Sequence, residues 1–230
     1  MSALQFPALN RTPTLPSEAG WHRESTPLRG LLRPSDAPIF IIGAYSGTTT
    51  QLLIDVHPER VFYLFEPQDW AIRQLRERFG SMPNVRIFPF GLGDRSGTLP
   101  MCLYTSDGCT FMKGGIEFKE DPQYWCEGEM MEFSEFMARQ TAQKIAHASL
   151  NIEGYEYVLL SHLARTGWLE RIETLGVSWH GSEFKTVVPG PFTYFGDPVP
   201  PWEDMQTLLA TTHDLILSID NWQTWGRRGT

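Results

Sequence analysis

The chain has 230 residues, 41% of them apolar and 20% charged, with a formal net charge of −8. These values exclude a disordered chain and fit one folded domain with a full core, while the acidic balance argues against nucleic acid as the main partner. Three cysteines without Cys-x-x-Cys spacing suggest neither a disulfide framework nor a zinc site, and with no signal pattern and no membrane-length apolar run the expectation is a cytoplasmic protein without membrane association.

Residues 1–35 hold five prolines among Ser, Thr, Arg and Glu. They read as an extension, packed on or covering a domain that spans 36–230. Ile39 to Ile42 is apolar and β-branched or aromatic throughout, as in a strand buried on both faces of a parallel sheet. Gly43-Ala44-Tyr45-Ser46-Gly47 forms a tight turn, Thr48 to Val56 a helix, and Val61 to Phe65 a second strand running into Glu66-Pro67. Strand, glycine turn, helix, and a strand ending in a carboxylate make the first half of a nucleotide-binding α/β unit. Gly43 and Gly47 let backbone approach a ligand, and Glu66 can accept both hydroxyls of a ribose. A dinucleotide site wants a third glycine, because its pyrophosphate lies against bare backbone. Ser46 and Thr48 would crowd a diphosphate, so the phosphate-free S-adenosylmethionine suits this turn better than a nicotinamide or flavin. An α/β domain whose glycines only make a turn is the plainer alternative.

Further along, Asp69 to Phe79 fits a helix and Asn84 to Phe90 a third strand. Gly91-Leu92-Gly93-Asp94 reads as a turn where an adenine ring could lie against Leu92 and Gly93. Arg95-Ser96-Gly97 leads as a hairpin turn into an extra strand, Thr98 to Tyr104. Thr105 to Glu129 is Gly-rich and irregular, either shaping a substrate pocket or serving as a surface loop. Glu132 to Ile145 fits a helix. Ala148 to Ile152 is a short strand passing into a helix with Tyr155, Leu159 and Leu163 on one face, ended by Gly167. Asn151, Glu153 and Glu156 thus gather where a strand ends and a helix begins, the edge at which ligands bind in open α/β sheets. The two glutamates also suit the positive end of the helix. Thr174 to Trp179 is a strand ending at His180, followed by a polar and aromatic loop to Trp202. A helix over Trp202 to Thr211 and strands over Leu215 to Ile219 and Trp222 to Trp225 complete the chain. The sum is a three-layer α/β fold with a mostly parallel sheet and an antiparallel C-terminal edge.

With these stretches read, the chain from Pro38 to Trp225 resembles the FkbM-type family of S-adenosylmethionine-dependent O-methyltransferases. Four pieces carry the resemblance: the Gly43–Gly47 turn, Leu64-Phe65-Glu66-Pro67, Gly91-Leu92-Gly93-Asp94 with Ser96-Gly97, and Asn151-Ile152-Glu153-Gly154-Tyr155-Glu156. The last is similar to the family's Asp-x-Glu-Gly-x-Glu signature. The resemblance implies the Rossmann-like class I methyltransferase fold, Glu66 on the ribose and the glycine turn beside the methionine part. It also implies a small-molecule or glycan acceptor, a hydroxyl of a sugar or of a polyketide or glycopeptide natural product. The chain departs from the family pattern twice, with Ile41 and Ile42 where an acid is usual and Asn151 in place of the signature's leading Asp. No other cluster has metal-ligand spacing, so no required metal is expected. His180 is the first candidate for general base, on an ordinary pKa of about 6.5; Glu153 is the second, and Asn151 would orient the reactants. Trp179, Tyr194 and Trp202 either stack on a flat acceptor or pack in the core. The rival readings are a non-catalytic binding module and a nicotinamide-dependent oxidoreductase. The sequence names neither the acceptor nor an oligomeric state.

Overall fold

The computed structural model describes residues 32, 36–103, 108–111, 124–180, 193–194 and 197–229. The N-terminal extension therefore lies outside the described residues, apart from Leu32, which packs against the core beneath the first strand. In chain order the elements are β1 (Ile39–Ile42), α1 (Thr48–Val56), β2 (Phe62–Phe65), α2 (Asp69–Phe79), β3 (Val85–Phe88), β4 (Gly91–Gly93), β5 (Gly97–Leu103), β6 (Cys109–Thr110) and β7 (Trp125–Glu132). Then follow α3 (Phe133–Ala138), β8 (His147–Leu150), α4 (Glu156–Thr166), a 3-10 turn at Leu169–Arg171, β9 (Thr174–Ser178), β10 (Thr193–Tyr194), β11 (Asp197–Pro198), α5 (Trp202–Leu209), β12 (His213–Ile219) and β13 (Trp222–Arg227). No helix among the described residues is long and apolar enough to cross a membrane.

The main sheet has the order β3-β2-β1-β8-β9-β13-β12, with β13 antiparallel between β9 and β12 and the others aligned. Alternation along β1 divides the core between the two faces. Phe40 and Ile42 join Tyr63, Phe65 and Leu150 on one side, whereas Ile39 and Ile41 meet Leu53, Leu75 and Phe79 of α1 and α2 on the other. From β1 the chain winds outward to β2 and β3, then returns to place β8 on β1's opposite side. Ile42 pairs with both Phe65 and Leu150, so β1, β2 and β8 end level. Their C-terminal ends open the crevice where α/β sheets bind ligands.

A second sheet, β4-β7-β5-β6, stands beside the first, and three sequence expectations are corrected there. Gly91–Gly93 is a strand parallel to β7, not a turn. The stretch expected to be irregular contains β6 and the first half of β7, whose Gly128 and Met130 face inward between exposed Glu127 and Glu129; the glycines and charges obscured that period of two. The helix expected over Glu132 to Ile145 is confined to α3. Glu132 caps it by accepting the Glu135 N–H at 2.6 Å, and after Met137 no apolar residue larger than alanine occurs until Ile145, which bridges to Ile172 instead.

His147 lies in β8 with 1% exposure, its Nδ1 2.9 Å from Thr174 Oγ1. Burial, aided by nearby His57, lowers its pKa from 6.5 to about 3. The unfolded chain therefore takes up a proton at this residue below pH 6.5 that the folded chain refuses until about pH 3. Acidification across that window should remove stability, with a ceiling on the order of 5 kcal/mol from this residue. Denaturant titrations at a series of pH values should give a flatter acid limb for His147→Gln than for the wild type; parallel limbs would contradict the assignment.

Candidate active site

The turn after β1 is held by backbone geometry. Gly43 has φ +83°, and a Cβ there would lie 2.1 Å from the Asn151 carbonyl oxygen, so the close approach of the β1 and β8 ends requires glycine. Tyr45, with φ 49°, also sits in the left-handed region, a costly state for a bulky residue that the surroundings must enforce. Its N–H donates to Glu66 Oε2 at 2.9 Å. Arg78 of α2 ties down the turn by donating to the Ser46 carbonyl at 2.5 Å.

Glu66 leaves β2 at the same level, and the Gln68 N–H donates to its Oε1 at 3.0 Å. A carboxylate offers about four lone-pair positions, two per oxygen. Backbone takes one on each oxygen, which leaves one on each for a pair of neighbouring hydroxyls. Burial raises the Glu66 pKa to about 7, against the lowering effect of the Gln68 and Tyr45 N–H groups.

On the β8 side, the Asn151 N–H donates to the Ile42 carbonyl at 3.2 Å, and its buried Oδ1 has no hydrogen-bond partner among the described residues. Glu156, at the start of α4, is fully buried. It accepts the Ile152 N–H at 2.7 Å and the Gly154 N–H at 2.8 Å. These bonds fold the chain so that Glu153 takes φ 57° and Gly154 φ 98°. His180, just past β9, closes the cluster with Nδ1 3.0 Å from Glu156 Oε1 and Nε2 3.1 Å from Glu153 Oε2. Burial opposes a charge on this ring, but the Glu156 and Glu153 carboxylates prevail and hold its pKa well above 6.5. The ordinary pKa expected of His180 is thereby corrected. Both ring nitrogens are thus engaged by carboxylates, an arrangement that favours the imidazolium over a neutral ring ready to take a proton.

The structure thus gathers Gly43, Ala44, Tyr45, Ser46, Gly47, Glu66, Asn151, Glu153 and His180 at one sheet edge, with half-buried Pro67 following Glu66. The other candidates lie against side chains of the protein's own interior. The Leu92 side chain belongs to the core, and the α-carbon of Gly93 faces Met130 and Tyr155. Trp179 is fully buried against Tyr157 and donates from Nε1 to Gln223 at 2.9 Å, so it packs the core and is no acceptor platform. Trp202 opens α5 and packs against that same core; the Tyr194 side chain and most of the polar loop lie outside the described residues. Two members escaped the sequence. The Gln68 side chain accepts from Trp70 Nε1 at 2.8 Å, and burial, with the nearby Glu66 and Glu153 charges, pushes the pKa of the Cys109 thiol of β6 well up. The position of Gln68 directly after Glu66-Pro67 was the available signal; for Cys109 there was none. No group of three or more His, Cys, Asp or Glu that could hold a metal ion occurs among the described residues.

No family model matches the chain. Over 78 residues, 34% of the chain, it is 29% identical to the 2-O-methyltransferase NoeI of Sinorhizobium fredii, a match spanning 32% of that protein. In three dimensions it is similar to the methyltransferase FkbM from Methylobacillus flagellatus KT, with a TM-score of 0.51 and 15% identity over 86% of this chain and 45% of that one. The chain thus spans less than half the length of either protein. The sheet order and this likeness give the chain the class I methyltransferase fold.

Proposed function

We propose that the chain is an S-adenosylmethionine-dependent O-methyltransferase acting on a hydroxyl of a sugar, glycan or natural product. The observation that carries the reading is Glu66, a buried carboxylate at the end of β2 with one acceptor position left on each oxygen, placed beside the Gly43–Gly47 turn. The likeness to a 2-O-methyltransferase supports transfer to oxygen. The site's residues fit the methyl donor. Glu66 would take the ribose hydroxyls, the Gly43–Gly47 turn would lie along the methionine part, and Asn151 Oδ1, buried without a partner among the described residues, would accept from an ammonium group. When bound, S-adenosylmethionine supplies a methyl group on a positively charged sulfur.

The chain's own contribution is to hold the reactants in line and to receive a proton. Glu153, rather than His180, is the base in this reading. It stands in a loop fixed by Glu156, and His180 Nε2, 3.1 Å from its Oε2, orients it. The acceptor hydroxyl would give its proton to a Glu153 carboxylate oxygen as its own oxygen takes the methyl group, the electron pair of the broken carbon–sulfur bond staying on the sulfur, which leaves neutral. Glu153→Gln should lower turnover of a methyl-labelled donor by about 10²–10⁴-fold while leaving S-adenosylhomocysteine affinity within a few-fold. Full turnover in that variant would remove the base assignment.

A further inference from the structure

We propose that Tyr155 is a positioning residue for Glu153, bolting the loop that carries this base to the second sheet through a hydrogen bond to Asp94; the inference rests on the reading of Glu153 given above. Tyr155 is 2% exposed. Its hydroxyl donates to Asp94 Oδ1 at 2.6 Å, with Met130 Sδ 3.1 Å from the same oxygen. Asp94 directly follows β4 and Met130 lies in β7, two strands that pair. The ring of Phe111, just past β6, meets the Tyr155 ring edge-on with centroids 6.2 Å apart. Two residues after Glu153, the chain thus reaches into the second sheet at three points.

The bonds that Glu156 makes to the Ile152 and Gly154 N–H groups act within the loop. They set its shape and do not fix it to the second sheet. His162 of α4 meets Glu132, the last residue of β7, so the helix has another anchor on that sheet. It lies seven residues on, about 10 Å along the helix, and leaves the loop end free to tilt. Only a short, charge-assisted bond at the loop itself prevents that. Glu153 is held at φ 57°, a costly backbone state for a residue with a side chain. Once released, the loop relaxes out of that state and carries the Glu153 carboxylate off His180 Nε2, 3.1 Å away. Asp94 therefore acts one step removed from the reacting atoms, with Oδ1 on Tyr155 and Oδ2 facing Arg95 at 3.2 Å.

The test reads the His180 ring by NMR in chains labelled with nitrogen-15 histidine: the wild type, Tyr155→Phe, Asp94→Ala, their double variant and Asp94→Asn. Tyr155→Phe keeps the packed ring and removes only the hydroxyl. It should shift the Nε2 resonance and abolish its hydrogen-bonded proton signal, while Nδ1, on Glu156, stays in place. Asp94→Ala should do the same and the double variant no more, because one bond is lost in all three. Asp94→Asn keeps an oxygen for the hydroxyl and should leave both signals as in the wild type. Turnover of a methyl-labelled donor should fall about 10- to 100-fold in Tyr155→Phe, as misplacement on the order of 1 Å does, with S-adenosylhomocysteine affinity unchanged. A merely structural Tyr155 would lower the melting temperature and leave the Nε2 signal unmoved. An unmoved signal overturns this role alone, and the base reading stands. Full turnover in Glu153→Gln overturns the base reading and the role of Tyr155 with it.

Discussion

Replacing Glu156 by alanine is expected to destabilise the fold by about 3–5 kcal/mol, the cost of removing one partner from a buried charge cluster. The carboxylate is fully buried and accepts from the Ile152 and Gly154 N–H groups and from His180. Without it, two N–H groups lose their acceptor and the left-handed backbone at Glu153 and Gly154 loses its clamp. His180 would then face Glu153 alone. A single domain has only about 5–15 kcal/mol of stability in all, so the variant should unfold at much lower denaturant. Glu156→Gln keeps an oxygen for one N–H and should fall between the two. A loss under about 1 kcal/mol in the alanine variant would show that the loop is held by something other than this carboxylate.

Glu66→Ala is expected to cost the largest share of methyl-donor affinity, on the order of 100-fold or more, because two hydrogen bonds to a charged group are lost together. The wild type should also bind more weakly as the pH falls. Only the ionised carboxylate accepts from two hydroxyls, and with its pKa at about 7 each further unit of acidification below that value should reduce affinity by up to about tenfold. The Glu66→Gln variant, which cannot titrate, should bind weakly with a flat profile between pH 6 and 8. A wild-type profile equally flat would mean that Glu66 does not touch the ligand.

The main sheet was legible because its signals were local and strong. Ile39–Ile42 and Phe62–Phe65 are apolar at every position, as strands buried on both faces must be, and the helices at Thr48–Val56 and Asp69–Phe79 and the helix end at Gly167 were placed to the residue. The second sheet was not, because β4 is three residues long and β7 interleaves glycine and glutamate. At the site, the sequence brought Glu66, Asn151, Glu153 and His180 to one edge through strand ends alone. It could not supply the ionisation of His180, which depends on two carboxylates 24 and 27 positions earlier in the chain. Nor could it separate Trp179 from a ligand platform, since an indole reads alike in a core and in a pocket.

The central claim is that Glu66 and the Gly43–Gly47 turn make a site for S-adenosylmethionine. Calorimetric titration of the wild-type chain with S-adenosylmethionine, S-adenosylhomocysteine and NAD tests it most directly. The account predicts saturable binding of the first two, abolished or greatly weakened in Glu66→Ala, and none of NAD. Binding of NAD alone, or of none of the three, would contradict it.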